Sequence, residues 1–325
     1  MPSSAIHCEL CPRHCNLSLG DIGACGARMN KGGEVREIRT NFYASINVDP
    51  IEKKPLYHFF PGTSALSLGG FGCNLMCRGC QNASISRVCA NKGSGFELSP
   101  DAIVDMALRE GATSIAYTYN EPIVWWETMQ NVARRAHEAG LKNVMVTAGY
   151  VSPSMRDEVF AHIDGVNIDL KGFSEDFYRS WARGDLATVC DTIEYLHAHR
   201  NIWFEVTTLV IPGQNDTPDM LRHEFQWLYD HIGDGVPLHL SAFFPHYHAL
   251  EIESTPESTL EMARDLAYEA GLRDVYLGNV MARCDTRCRE CGQIVIRRQG
   301  YRVDRSGLVD GKCRACGAQA IGVFR

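Results

Sequence analysis

The sequence predicts an α/β fold, a parallel sheet wrapped by helices that closes into a full or partial barrel. Three observations carry that prediction. Between residues 65 and 280, short apolar strands alternate with helical stretches. Prolines stand at or near four helix starts (Pro100, Pro122, Pro153, Pro218), and glycines follow three helix ends (Gly111, Gly140, Gly271). A chain of 325 residues, 45% hydrophobic, is long enough for one large domain with small appendages.

The strand candidates, in order, are ALSLGG from Ala65, SIAYTY from Ser114, NVMV from Asn143, GVNIDL from Gly165, WFEVTTLVI from Trp203, LHLSAF from Leu238 and VYLG from Val275. Each is a short apolar run that alternates with a helical stretch. Helices are expected at 101–110, 123–139, 154–162, 186–199, 218–232 and 258–270. Active sites in such barrels lie at the C-terminal ends of the strands, and unusual polar residues collect there. A period of two places Asn167, Asp169 and Lys171 on one face of VNIDLK, Glu205 with Thr207 in FEVTTLV, and His239 with Ser241 in LHLSAFF. Inward polar groups are costly unless they meet a ligand or one another. Convergence from three strands favours a site.

The chain carries fourteen cysteines. The N-terminus MPSSAIHCELC has no apolar run resembling a signal peptide, and no segment reaches the apolar length of a membrane span. A cytoplasmic enzyme is expected, in which clustered cysteines point to metal rather than disulfides. Eleven fall into three groups, leaving Cys89, Cys190 and Cys284 as ordinary thiols. Cys73, Cys77 and Cys80 form Cys-x3-Cys-x2-Cys in FGCNLMCRGCQN. Iron–sulfur clusters normally take four thiolates, so three at this spacing suggest a cubane with one open iron. A structural zinc loop or a cluster completed by Cys89 is the alternative.

This motif resembles the radical S-adenosylmethionine (SAM) superfamily. The resemblance implies a partial (β/α)6 barrel with the cluster loop after the first strand, and a 4Fe-4S cluster whose free iron chelates the amino and carboxylate groups of SAM. Reductive cleavage would give methionine and a 5'-deoxyadenosyl radical that abstracts hydrogen. It further implies an electron donor such as flavodoxin or ferredoxin. Members of the activating-enzyme type carry Gly-Gly-Glu after the second strand, where a carboxylate meets the SAM ammonium. Here the turn reads Tyr119-Asn120-Glu121, making Glu121 and Asn120 candidates for cofactor binding, with Asp169, Lys171 and His239 lining the cofactor or substrate cavity. An N-terminal helix charge is the other reading of Glu121. Members usually carry an aromatic residue before the third cysteine, whereas this chain has Gly79. DPIEKKPLYHFFPG at 49–62, AGY at 148–150, IDLK at 168–171, VIPGQND at 210–216 and FFPHY at 243–247 extend the resemblance to the pyruvate formate-lyase activating-like group, most closely its AmmeMemoRadiSam-system branch. That branch implies association with Memo-like and AMMECR-like proteins and leaves the substrate open.

Two flanking groups complete the inventory. Cys8, Cys11, Cys15 and Cys25, with His7 and His14 as possible substitutes, form a compact set suited to Zn2+ or an auxiliary iron–sulfur cluster. Cys288, Cys291, Cys313 and Cys316 form two Cys-x2-Cys-Gly knuckles, a zinc-ribbon or rubredoxin-like signal for structural Zn2+ or Fe. Residues 1–60 are expected to be a cysteine-rich segment, 61–282 the barrel and 283–325 the ribbon. The ribbon carries ten Lys and Arg against four Asp and Glu, net +6, leaving −13 for the remainder. Arg297, Arg298, Arg302 and Arg305 around Tyr301 present either a solvated face or a surface for phosphates or an acidic protein. The rival functions are activation of a partner protein by making a glycyl radical, and nucleic-acid binding by a non-catalytic metal ribbon.

Overall fold

The computed structural model describes residues 5–199 and 201–324. Its centre is an eight-stranded sheet: β1 Ser45–Pro50, β2 Ser64–Gly69, β3 Ser114–Tyr117, β4 Lys142–Thr147, β5 Gly165–Asp169, β6 Trp203–Val210, β7 Leu238–Ala242 and β8 Val275–Gly278. The spatial order follows the sequence from β1 to β8. Strands β2 to β8 run parallel, while β1 pairs antiparallel with β2. The order leaves β1 and β8 as edges, which is an open, partial barrel.

Six helices cover it: α1 Pro100–Arg109, α2 Trp126–Glu138, α3 Arg156–Phe160, α4 Leu186–Ala198, α5 Pro218–Ile232 and α6 Glu257–Glu269. Six strand–helix units and a closing strand therefore occupy the expected places. Ser99 accepts from Ala102 N, Asp185 from Thr188 N and Thr217 from Met220 N, so three helix starts are capped by side chains. Pro122 and Pro153 open single 3-10 turns that lead into α2 and α3. Gly111, Gly140 and Gly271 adopt positive φ after helix ends, as the left-handed cap requires. Val166, Ile168, Val206 and Leu240 pack against Val132, Ile193 and Phe225 of the helices in one continuous core. Each such side chain contributes roughly 1.5–3 kcal/mol by leaving water.

The flanks are bound to the barrel rather than tethered to it. Residues 45–50, within the cysteine-rich segment in the sequence reading, are an edge strand of the main sheet. A hairpin of Arg28–Lys31 and Glu34–Glu37 docks on the start of α2: Arg28 makes a bidentate pair with Glu127 at 2.5 and 2.6 Å, and Glu37 accepts from both the backbone N and hydroxyl of Thr128. In the C-terminal module, β9 Ile294–Gln299 pairs with β10 Arg302–Asp304. Arg289 donates to Asp274, and Val323 exchanges backbone hydrogen bonds with His58 and Phe60. Arg298 corrects the sequence reading of a single basic cluster. It is 2% exposed, donates to Thr286 Oγ1 and Tyr57 O, and stacks on the Tyr57 ring, whereas Arg297, Arg302 and Arg305 stay in solvent.

Candidate functional site

The loop after β2 is built to approach other backbones closely. A Cβ on Gly70 would lie 2.7 Å from the Trp125 ring, and one on Gly72, at φ +80°, would lie 2.2 Å from Cys25 O. Only glycine fits. Asn120 holds this turn from the end of β3, accepting from Gly70 N at 2.8 Å and Trp125 Nε1 at 3.2 Å while donating to Gly72 O at 2.8 Å. Cys73, Cys77 and Cys80 follow, half-buried on one wall of a cavity of about 790 Å3 at the C-terminal ends of the strands. Leu75 N donates to Cys73 Sγ at 3.4 Å, and Cys80 Sγ lies 3.1 Å from Ser86 Oγ. Burial pushes the Cys77 thiol up, and the Lys171 and Arg87 charges oppose that shift. Three accessible thiols flanked by two cations fit the donor set and charge of an iron–sulfur cluster.

Facing them, Glu121 lines the cavity fully buried from solvent. Its Oε1 accepts from the Thr147 hydroxyl at 2.6 Å and Ile123 N at 3.3 Å, and its Oε2 from Ala148 N at 2.8 Å. Burial raises its carboxyl, partly offset by these donors and by Lys171. With single occupancy, Oε2 retains a lone pair for a ligand donor. Asp169 and Lys171 also line the cavity and pair at 2.9 Å. Burial alone would lower the Lys171 ammonium, but Asp169 and Cys77 outweigh it and hold the group charged.

Register explains the next layer. Asp169 lies beside Thr207 and Thr207 beside His239, so the polar inward faces of β5, β6 and β7 form one band. Glu205, in the sequence reading a ligand-contact candidate, is committed to internal contacts. It accepts from Tyr57 N, His58 N and Trp203 Nε1 and lies 2.7 Å from His239 Nε2. Burial disfavours its charge, yet His239 and His58 hold the carboxyl below the usual range. His239 and Ser241 remain on the cavity wall.

Several lining groups escaped the sequence reading. Lys54, 1% exposed, pairs with Asp49 at 2.7 Å and sits 4.8 Å over the Tyr119 ring, whose hydroxyl donates to Asp49. Gly300 and Tyr301 of the ribbon reach the same cavity. The segment DPIEKKPLYHF, with its two adjacent lysines, was the available signal for the first group; nothing local marks the second. Gly79 also gains a reason: a Cβ there would lie 2.8 Å from Phe243 and 3.0 Å from Trp181, so rings from distant segments fill that space. Gly79→Val is expected to destabilise the fold by about 1–3 kcal/mol through overpacking. An unchanged denaturation midpoint would show that the rings move aside freely.

The other cysteine groups lie away from the main cavity. Cys288 and Cys316 sulfurs are 3.6 Å apart and Cys291 and Cys313 sulfurs 3.7 Å apart, and all four lie within 4.8 Å of one another. A tetrahedral ion with Zn–S of about 2.3 Å needs S···S edges of about 3.8 Å. The ribbon therefore fits one ion. Cys8, Cys11, Cys15 and Cys25 sit behind the cluster loop, where Cys73 N donates to Cys25 O at 3.0 Å. His7 and His14 are exposed. Among the described residues no helix is long and apolar enough to cross a membrane.

Residues 68–224 match the family described as the Radical SAM superfamily. An uncharacterized protein of Methanocaldococcus jannaschii is 37% identical over 321 residues, covering 98% of this chain and 95% of the relative. The fold is similar to a radical SAM methyltransferase from Sphaerobacter thermophilus, with TM-score 0.52, 14% identity and 68% of each chain covered. It is also similar to Streptococcus suis SuiB bound to S-adenosylmethionine, with TM-score 0.50, 12% identity, and 70% of this chain and 52% of that one covered.

Proposed function

The chain belongs to the radical SAM superfamily, and on that premise we propose that it cleaves SAM reductively at a cluster held by Cys73, Cys77 and Cys80 to start hydrogen abstraction. The observation that carries the proposal is the convergence of these thiols, Glu121, Asp169, Lys171 and His239 on one cavity at the C-terminal ends of the strands. When bound, the cluster and SAM together supply the one-electron chemistry, and the protein supplies position and shielding.

Each residue has a defined task in this reading. Cys73, Cys77 and Cys80 would hold the cluster through three thiolates and leave a position for SAM. Glu121 directs the free lone pair of Oε2 at the SAM ammonium, a charge-assisted bond from a buried carboxylate. Asn120 is a positioning residue, since all of its amide contacts go to Gly70, Gly72 and Trp125. Lys171, kept charged by Asp169, balances the negative charge of thiolates and cluster. The remaining wall, with His239, Lys54 and Tyr301, is where a substrate would lie against the deoxyadenosyl group.

Glu121→Gln tests the cofactor role. Thr147 can turn its hydroxyl to accept from the new amide, so the fold is retained while the charge is removed. SAM binding measured by calorimetry should weaken about tenfold or more, consistent with ~1.5–3 kcal/mol for a hydrogen bond to a charged group. Cluster content should be unchanged. Unaltered affinity would reduce Glu121 to its contacts with Thr147 and Ala148.

A further inference from the structure

We propose that Cys8, Cys11, Cys15 and Cys25 bind a second 4Fe-4S cluster, not zinc, and that it passes electrons to the cluster at Cys73, Cys77 and Cys80. The relay half rests on the radical SAM reading above; the cluster half does not.

Sulfur spacing separates the two metal chemistries. A single tetrahedral ion draws four sulfurs to about 3.8 Å from one another, which is the geometry of the ribbon. In a cubane each thiolate binds a different iron, so the sulfurs stand farther apart. Among the described residues, only the four ribbon cysteines have three or more sulfurs within 4.8 Å of one another. Neither Cys73, Cys77 and Cys80 nor the N-terminal four bring three sulfurs that close together. Two of the N-terminal sulfurs still face one place: an ideal Cβ on Gly23 would lie 3.8 Å from both Cys15 Sγ and Cys25 Sγ. Ala24 N also points at Cys15 Sγ at 3.5 Å, the kind of N–H···S contact that tunes cluster potential.

Placement supports the relay. Cys25 O accepts from Cys73 N at 3.0 Å, so one ligand of each set meets across a single hydrogen bond. The two loops are locked together again where Arg13 donates to Asn74 O, and Ser152 N ties Leu10 to the loop after β4. On the outer side Glu9 and His14 are exposed, so a donor can approach. One electron from a low-potential flavodoxin- or ferredoxin-class protein would reduce the N-terminal cluster. That cluster would be reoxidised by reducing its neighbour, which delivers the electron to the sulfonium as the carbon–sulfur bond breaks.

The full chain bearing Cys73→Ala, Cys77→Ala and Cys80→Ala, reconstituted anaerobically with iron and sulfide, decides the cluster half. It should retain about four acid-labile sulfides per chain, and the unaltered protein about eight. Sulfide is the discriminating count, because a rubredoxin-like iron in the ribbon carries none. Reduction should give a paramagnetic signal that SAM does not alter. No sulfide in the triple variant, or about four in the unaltered protein with a second zinc, would overturn the proposal. For the relay, Cys11→Ala should slow reduction of the remaining cluster by flavodoxin at least tenfold, with reduction by titanium(III) citrate unchanged. Equal flavodoxin rates would overturn the relay. A SAM-insensitive unaltered protein that still holds about eight sulfides would instead count against the proposed function.

Discussion

Replacing Cys73, Cys77 and Cys80 together with alanine should reduce 5'-deoxyadenosine formation from SAM by at least a thousandfold, to the background of the assay. The expected loss is this large because the one other thiol lining the cavity, Cys284, is a single ligand and cannot hold a cluster by itself. A thousandfold corresponds to about 4 kcal/mol of barrier. The fold should survive, since the three thiols are half-buried, the substitution removes one atom each, and the loop is held independently by Asn120 and by Cys25 O. Circular dichroism of the variant should match the parent. Undiminished product from a variant lacking this cluster would end the assignment.

The second large effect is expected at the ribbon. Cys313 is buried, and around one ion its sulfur would complete a four-thiolate shell with no vacant coordination position. Structural zinc contributes apparent binding energies of ~10–16 kcal/mol in small zinc-finger peptides. Among the described residues, the ribbon's own apolar cluster has three buried side chains, Val295, Ile296 and Cys313. Cys313→Ser should therefore raise amide exchange in residues 283–324 by at least a hundredfold. The effect should spread to 57–60, because Arg298 holds Tyr57 O and Val323 pairs with His58 and Phe60. Since Tyr57, Arg298 and Tyr301 line the cavity, SAM binding should weaken as well. Full protection in the metal-free protein would show that hydrophobic and ionic contacts hold the ribbon unaided.

The parallel strands were legible because each is apolar on the side that meets the helices and polar at its C-terminal tip. Val166, Ile168 and Leu170 enter the core, while Asp169 and Lys171 reach the cavity. Helix starts were legible from Pro100 and Pro218 because the caps that precede them are local chemistry. The edge strand Ser45–Pro50 was not, since its pattern is mostly polar and only pairing with Ser64–Gly69 makes it a strand. Glu205 was recognised as an inward polar residue, but its partners Tyr57 and His58 lie almost 150 residues away in the chain. Arg298 misled for the same reason: charge in a basic run signals solvent, and burial on Tyr57 is a tertiary fact.

The most direct test is electron–nuclear double resonance on the reduced, anaerobically reconstituted protein with SAM labelled by 15N at the amino group and 17O at the carboxylate. Binding of SAM to the open iron of the Cys73, Cys77 and Cys80 cluster predicts hyperfine coupling from both labels, lost in the triple alanine variant. A reduced cluster that shows coupling from neither label at saturating SAM would contradict the account.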